Sequence, residues 1–132
     1  MLCTSIVIFV ITLTILIFRT NNTLNKTIVE IDPVLIDLGI IQAGTEYDVP
    51  IKLKNVGEAS LHIERVGASC NCMESPKTYL PIPPRDTVLI HIKVTPDFSG
   101  FYLEKVFIFC NSEDSPLPVV IRGNVEDFVN LR

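Results

Sequence analysis

Apolar and polar residues alternate with a period of two along most of this chain. The apolar members of the three clearest runs are Val49, Ile51 and Leu53; Val88, Ile90, Ile92 and Val94; and Val106, Ile108 and Cys110. Such alternation is typical of half-buried strands, because successive side chains of a strand point to opposite faces. Turn-forming residues at 55–57, 96–100 and 111–116 separate the runs. The pattern predicts strands near 28–31, 34–41, 46–54, 60–67, 87–95, 101–110 and 117–124.

Strands of this length and spacing predict an all-β, immunoglobulin-like β-sandwich of about seven strands. We expect a break at Asp32-Pro33, since proline cannot donate to a β-ladder and suits an edge. No helical pattern occurs between residues 28 and 126. That range is therefore predicted to be a single sandwich domain.

The first residues of the chain follow a different pattern. Residues 2–18 contain no charge, proline or glycine, and Arg19 ends the run. Seventeen helical residues would span about 26 Å, the short end of a bilayer crossing. A cleaved signal peptide fits less well, because no basic residue precedes the run and Ile17-Phe18-Arg19 is a poor cleavage site. The sequence thus predicts a transmembrane signal-anchor helix at 1–19, a polar tether at 20–27 and a C-terminal tail at 127–132.

Composition and charge exclude several classes of function. The formal net charge is −4 and no basic run occurs, which argues against nucleic acid as a partner. His62 and His91 alternate with the apolar residues of their strands, so they are expected to face solvent. Asp32, Asp37 and Asp48 are scattered along the chain, without the spacing that would indicate an acid–base pair. No phosphate-binding glycine loop and no Ser/His/Asp arrangement can be identified. We therefore predict that the chain is not an enzyme, with no cofactor and no small-molecule substrate.

Cys70 and Cys72 form the one pair of residues in the sequence that could carry out chemistry. In an extended segment their Cα atoms would lie roughly 6.5 Å apart, so a disulfide would require a kink. An exposed, kinked bridge would be easily reduced, which suits a redox-active pair. Two thiolates could instead hold a soft metal such as Cu(I), with Met73 nearby. The favoured interpretation is structural, as free thiols or a bridge at a sheet corner, and no metal site is predicted.

Cys110 is predicted to be a buried structural thiol. It alternates in phase with Val106 and Ile108, as a small core residue would. If strands 60–67 and 101–110 are antiparallel neighbours, Cys110 and Cys70 lie about 25–30 Å apart and cannot bond. Phe107 and Phe109 occupy the other face of the strand, where we expect a neighbouring strand or loop to cover them.

An ordered series of short motifs resembles a known family. The motifs are Leu38-Gly39-Ile40-Ile41-x-x-Gly44, Leu53-Lys54-Asn55-x-Gly57, Leu61-x-Ile63, Ser69-Cys70-Asn71-Cys72, Pro81-Ile82-x-Pro84, Gly100-Phe101, Cys110-Asn111 and Ile121-x-Gly123-x-Val125. The series resembles the bacterial domain of unknown function 1573, which is abundant in Bacteroidetes. That family is similar to abnormal-spindle, hydin and major-sperm-protein modules. The resemblance covers residues 36–125.

The resemblance implies an immunoglobulin-like sandwich of the kind usually exported behind a signal or lipoprotein sequence, with no established activity. It favours the periplasmic side, although Arg19 and Lys26 after the apolar run would by the positive-inside rule favour the cytoplasm. Two departures from the family pattern occur. Asn71 and Met73 stand where the family often has glycine and threonine, and Pro84-Arg85 replaces a Pro-Gly turn.

Three functional hypotheses follow. The first is a binding or scaffolding module of the cell envelope that contacts another envelope protein, most directly by strand addition to an open sheet edge. A long, flat, uncovered edge strand would support it, and covered or bulged edges would count against it. The second is thiol-dependent redox or copper handling through Cys70 and Cys72. The third is a purely structural spacer within a larger complex.

Overall fold

Two packed β-sheets form the main body of the protein. The computed structural model describes residues 2–23 and 26–127, with side chains described for 5–17 and 26–127. Within these residues one helix precedes eight strands. The elements are α1 (Leu2–Thr23), β1 (Val29–Asp32), β2 (Leu35–Gln42), β3 (Tyr47–Asn55), β4 (Ile63–Ala68), β5 (Met73–Glu74), β6 (Thr87–Val94), β7 (Gly100–Cys110) and β8 (Leu117–Glu126). The predicted all-β sandwich is confirmed.

Each sheet contains four strands. The first has the order β1-β3-β6-β5 and the second β2-β8-β7-β4. Neighbours are antiparallel except β2 and β8, which are parallel. The chain passes from the first sheet to the second between Asp32 and Leu35, so the predicted break at Asp32-Pro33 is confirmed.

The core forms where the inward faces of the two sheets meet. Val49, Ile51 and Leu53 of β3 are buried, whereas Pro50 and Lys52 between them are exposed. β6, β7 and β8 repeat this alternation with mainly Val, Ile and Leu facing inward. Each fully buried aliphatic side chain of this size contributes about 1.5–3 kcal/mol. The two-residue period therefore predicted the core as well as the strands.

Two local features of the fold were not predicted from the alternation of apolar and polar residues. β5 was not predicted, because its two residues, Met73 and Glu74, are too few to show alternation. The strand expected at 60–67 begins at Ile63, since Leu61 makes an isolated bridge to Ile82 instead of joining the sheet. The segment from β5 to β6 is thereby attached to the start of β4.

Asn55 joins three segments of the chain inside the sandwich. Its side chain is fully buried. Its Oδ1 accepts hydrogen bonds from the Thr27 hydroxyl at 2.6 Å and from Gly57 N at 3.2 Å. Its Nδ2 donates to Ala59 O at 2.8 Å and to Ile82 O at 3.0 Å. The Leu-Lys-Asn-x-Gly motif therefore has a structural explanation in a buried polar network.

Arg85 occupies the backbone conformation that glycine favours. Its φ is +68°, and among the described residues it is the one non-glycine residue with positive φ. This is the position where the Pro-Gly turn of the resembled family has glycine, so the turn is kept despite the substitution. Asn71, the other departure, does not use a left-handed backbone.

The helix α1 extends further than the predicted anchor. It continues to Thr23, so residues 20–23 of the predicted tether are helical. Thr27, at the other end of that tether, is buried against Asn55. Among the described residues, no helix has the length and apolar character needed to cross a membrane. Most of the predicted C-terminal tail, residues 128–132, lies outside the described residues.

Candidate functional site

Cys70 and Cys72 are joined by a disulfide at the end of β4. Their Cα atoms lie 5.2 Å apart, closer than the roughly 6.5 Å of an extended segment. The shorter distance arises because residues 69–72 bend and turn between β4 and β5. Backbone hydrogen bonds fix this turn on both sides, from Ser69 N to Lys105 O at 3.0 Å and from Thr95 N to Cys72 O at 2.9 Å. The bridge is therefore held by both sheets.

An open groove borders the disulfide. Its volume is about 440 Å³. The lining residues are Cys70, Asn71, Cys72, Glu74, Thr95, Asp97 and Phe98. Two carboxylates therefore face an opening that leads to the sulfur atoms. The groove is large enough to admit a small thiol or a short peptide segment.

Tyr102 lies directly behind the bridge. Its side chain is fully buried, and its hydroxyl is 3.3 Å from Cys72 Sγ. A bridged sulfur carries no proton, so the hydroxyl is the donor of this contact. Burial, together with the negative charges of Glu104 and Asp97, raises the pKa of Tyr102 to about 12. The hydroxyl therefore remains protonated at neutral pH.

Cys110 lies away from this site. It is 6% exposed, and its thiol is free. Cys110 pairs with Ile63 at the start of β4, whereas the bridge follows Ala68 at the end of that strand. The expected antiparallel pairing of these two strands is confirmed, and it separates the third thiol from the disulfide.

The arrangement does not favour the soft-metal alternative. Both sulfurs of Cys70 and Cys72 are used by the bridge, so neither is a thiolate that could ligate Cu(I). Met73 lies in β5, where it pairs with Val94. In the part of the chain that the structure describes, no group of three or more His, Cys, Asp or Glu residues is placed to hold a metal.

Exposed ion pairs involve four of the remaining polar residues considered in the sequence, Asp32, Asp37, Asp48 and His91. His91 Nδ1 lies 2.8 Å from Asp48 Oδ2, and Arg122 Nε donates to Asp37 Oδ2 at 2.8 Å. A hydrogen bond from Gly39 N and the Arg122 contact lower the pKa of Asp37. Exposed pairs of this kind contribute little to stability. They stabilise strand contacts and do not form a catalytic group.

A second candidate site is the outer side of β6. Among the described strands, β5 is the partner on that side, and it pairs only with Lys93 and Val94. β6 begins at Thr87, so most of its length extends beyond β5. Strand edges of this kind offer N–H and C=O groups to another strand.

The direction of the β6 backbone follows from its register with β3. Asn55 N points to the β6 side of β3, where it donates to the turn before β6. Backbone groups alternate along a strand, so Leu53 also points there and bonds to its partner, Val88. Leu89 and His91 therefore direct their N–H and C=O groups away from β3. No described strand pairs with them on that side.

An apolar groove lies along this free stretch. Its volume is about 390 Å³. The groove is lined by Ile63, Pro76, Thr78, Tyr79, Leu80, Pro81, Ile82, Pro83, Asp86, Thr87, Val88, Leu89, Ile90 and His91. Leu80 is 83% exposed and Leu89 54% exposed, so both present apolar surface at the groove. The free backbone groups thus lie beside an apolar surface.

The terminal strands of both sheets are poor sites for strand addition. β1 has four residues and β5 has two. β2 and β4 are interrupted by irregularities between Asp37 and Ile40 and between Ile63 and Arg65. Short or bulged edges resist pairing with other chains. Among the described strands, the stretch of β6 beyond β5 is therefore the best candidate for strand addition.

The sequence pattern did not reveal two features of these sites. Tyr102 lies on the same face of its strand as Val106 and Ile108, which indicates that it is buried. Nothing in the sequence places it beside Cys72. The free stretch of β6 depends on how far β5 extends. Both features are contacts between segments distant in the chain.

Comparisons with known proteins agree with this fold. A family model described as "Protein of unknown function (DUF1573)" matches residues 29–125. A protein of unknown function from Porphyromonas gingivalis W83 superimposes with a TM-score of 0.65 at 19% identity, covering 76% of this chain and 48% of that chain. This chain thus spans about half the length of that protein.

Two further solved structures share the fold. The ASH/PapD-like domain 7 of human CEP192 has a TM-score of 0.63 at 13% identity, with 78% of this chain and 88% of that chain covered. The VesB protease of Vibrio cholerae has a TM-score of 0.57 at 13% identity, with 83% and 35% covered. No curated protein matches the chain. At these identities the similarity concerns the fold alone.

Proposed function

The chain belongs to the DUF1573 family of proteins of unknown function, and from this premise we propose that it is a protein-binding module. The partner is an extended segment of another protein, which adds as a strand to β6 beyond β5. The observation that carries the proposal is the free backbone of Leu89 and His91 beside an apolar groove. An immunoglobulin-like sandwich needs no catalytic group for this role.

Main-chain and side-chain contacts would both contribute to binding. Each backbone hydrogen bond to Leu89 or His91 adds about 0.5–1.5 kcal/mol net. A buried aliphatic side chain in the groove beside Leu80 adds about 1.5–3 kcal/mol. Successive residues of a strand point to opposite faces, so the segment would present an apolar residue at every second position.

Photocrosslinking from the groove tests this proposal. A photoreactive amino acid replaces Leu80 in the full chain, and crosslinked proteins are identified by mass spectrometry in the native host. Leu89→Pro removes an N–H that points to the free side and leaves the β3 ladder intact, so it should reduce capture roughly tenfold. The same probe at exposed Glu113, in the turn after β7, is the control position.

A neighbouring proline substitution checks the assignment of backbone direction. Ile90→Pro removes an N–H that bonds to β3, and should destabilise the fold by about 3 kcal/mol or more. Urea denaturation should show Leu89→Pro close to the parent and Ile90→Pro far below it. Unchanged capture with Leu89→Pro, or equal capture from position 113, would refute strand addition at β6.

Although the described part of the chain contains no helix with the length and apolar character of a membrane span, we further propose that the apolar run at residues 2–18 anchors the module to the membrane, with the sandwich on the periplasmic side. The support is the uncharged run at residues 2–18 together with the exposed side chains described within it. From Ile6 to Ile17 the large apolar side chains are exposed on all sides of the helix. A helix that is apolar all round is stable in lipid or in a protein core, and not in water.

Membrane extraction tests the anchor. After cell breakage, the full chain should stay in the membrane pellet through alkaline carbonate washing and enter solution with detergent. A chain starting at residue 26 should be found in the soluble fraction. Protease added to cells with a permeabilised outer envelope should degrade the sandwich. Release by carbonate would contradict the anchor, and protection from protease would contradict the periplasmic orientation.

A further inference from the structure

We propose that the Cys70–Cys72 bridge is a thiol–disulfide exchange site that accepts two electrons from a protein dithiol. Cys70 is the sulfur that the incoming thiolate attacks, and Cys72 is the sulfur that leaves. The proposal is independent of the β6 edge, since it uses the other groove.

The surroundings of the two sulfurs differ. Cys72 packs against the hydrophobic core, and its Sγ receives the hydroxyl of Tyr102 at 3.3 Å. Cys70 and Cys72 both line the groove, but the described residues place a hydrogen-bond donor only on the sulfur of Cys72. A nucleophile must approach along the S–S axis, opposite the sulfur that leaves. A thiolate that approaches Cys70 from the groove therefore has Cys72 as the leaving sulfur, and the Tyr102 hydroxyl lies next to that sulfur.

The first step breaks the bridge. A thiolate of the partner attacks Cys70 Sγ and forms a mixed disulfide with it. The S–S bond to Cys72 breaks, and its electron pair stays on Cys72 Sγ as a thiolate. Tyr102 then donates to a charged sulfur, and a hydrogen bond to a charged acceptor is about twice as strong as a neutral one.

The second step releases the partner. Its second thiol loses a proton to solvent, and the thiolate attacks the partner sulfur of the mixed disulfide. The bond to Cys70 breaks, and the Cys70 thiolate takes a proton from solvent. The partner leaves as a disulfide, and the pair in this chain has gained two electrons. Exchange in the reverse direction returns the bridge.

The groove selects the charge of the partner. Glu74 and Asp97 line it, so cations are attracted to the bridge and anions are repelled. The same carboxylates destabilise the thiolate form of both cysteines in the reduced pair. At Cys72 the hydrogen bond from the Tyr102 hydroxyl offsets this destabilisation. We therefore infer a dithiol flanked by basic residues.

Reduction by small thiols tests the site on the oxidised full chain. Cysteamine, which is cationic, should reduce the bridge at least about threefold faster than glutathione after correction for their thiolate fractions. Glu74→Gln combined with Asp97→Asn should remove that difference. Acid quenching and fragment-ion mass spectrometry should find the mixed disulfide on Cys70, with the buried Cys110 unmodified.

Tyr102→Phe tests the role of the hydroxyl while keeping the ring. We expect reduction by dithiothreitol to slow about tenfold, the loss expected for one hydrogen bond to a charged group. In the reduced protein, the pH profile of alkylation should shift upward at Cys72 and stay unchanged at Cys70. Tyr47→Phe, which removes a hydroxyl that accepts from Gln42 N, is the control.

Several results would overturn the proposal. One is a mixed disulfide that forms mainly on Cys72. Another is a bridge that is reduced only as fast as the chain unfolds in urea. A third is a Tyr102→Phe variant that keeps the parent's urea midpoint and shows the parent's rate of reduction by dithiothreitol and the parent's pH profile of alkylation.

Discussion

Replacing Asn55 by alanine should destabilise the sandwich by about 3–5 kcal/mol. The substitution leaves the buried Thr27 hydroxyl and the partly buried Ala59 O without the Asn55 partner, and an unsatisfied buried group costs about 1–3 kcal/mol. Gly57 N and Ile82 O keep other partners, since they also bond to Ile28 O and Leu61 N. The loss would be a large fraction of the 5–15 kcal/mol that stabilises a typical domain.

Thermal and urea denaturation measure this effect. For a domain of about 100 residues, the expected loss lowers Tm by roughly 15–30 °C. Asn124→Ala is the matched control, because Asn124 is exposed on β8, and it should stay within about 0.5 kcal/mol of the parent. A loss below about 1 kcal/mol for Asn55→Ala would show that the buried network does not hold the three segments together.

Gly57→Ala should lower the free energy of unfolding by about 2–3 kcal/mol, because the added Cβ would overlap neighbouring atoms. A Cβ at position 57 would overlap the Thr27 hydroxyl and lie 2.6 Å from Ile28 N. Ile28 is held there by backbone hydrogen bonds from Val56 and Gly57 to its carbonyl, so the neighbouring backbone must move. Overpacking of this kind typically costs 1–3 kcal/mol.

A second glycine supplies the control for Gly57→Ala. At Gly67, in β4, an added Cβ would meet Arg65 and Phe109 at ordinary contact distances of 3.4 and 3.5 Å. Gly67→Ala should therefore be neutral, or stabilise by about 0.5 kcal/mol through lower chain entropy. Equal urea midpoints for the two variants would contradict the close approach of residues 27–28 to Gly57.

Much of the fold could be predicted because the sandwich depends on a local rule. Ile90, Ile92 and Val94 face the core because alternate side chains of a strand share a face, and burial of apolar surface selects that face. The break at Asp32-Pro33 follows from the missing N–H of proline. β5 could not be predicted, since two residues carry no periodic signal.

The candidate sites were predictable only in part. The spacing of Cys70 and Cys72 raised the possibility of a bridge, and the need for a kink was inferred from strand geometry. The turn that supplies it depends on hydrogen bonds to Lys105 and Thr95, which lie in other strands or loops. Tyr102 reaches Cys72 from 30 residues away, so no local pattern could have paired them.

The sequence by itself determined seven of the eight described strands, their inward faces, the burial expected of Cys110 and the membership in a family of sandwich domains. Local rules govern these properties, because side-chain direction and turn formation depend on residues a few positions apart. The tertiary structure decided the donor behind Cys72, the acidic groove beside the bridge and the free stretch of β6. These depend on packing between distant segments, which a hydrophobic period of two leaves open.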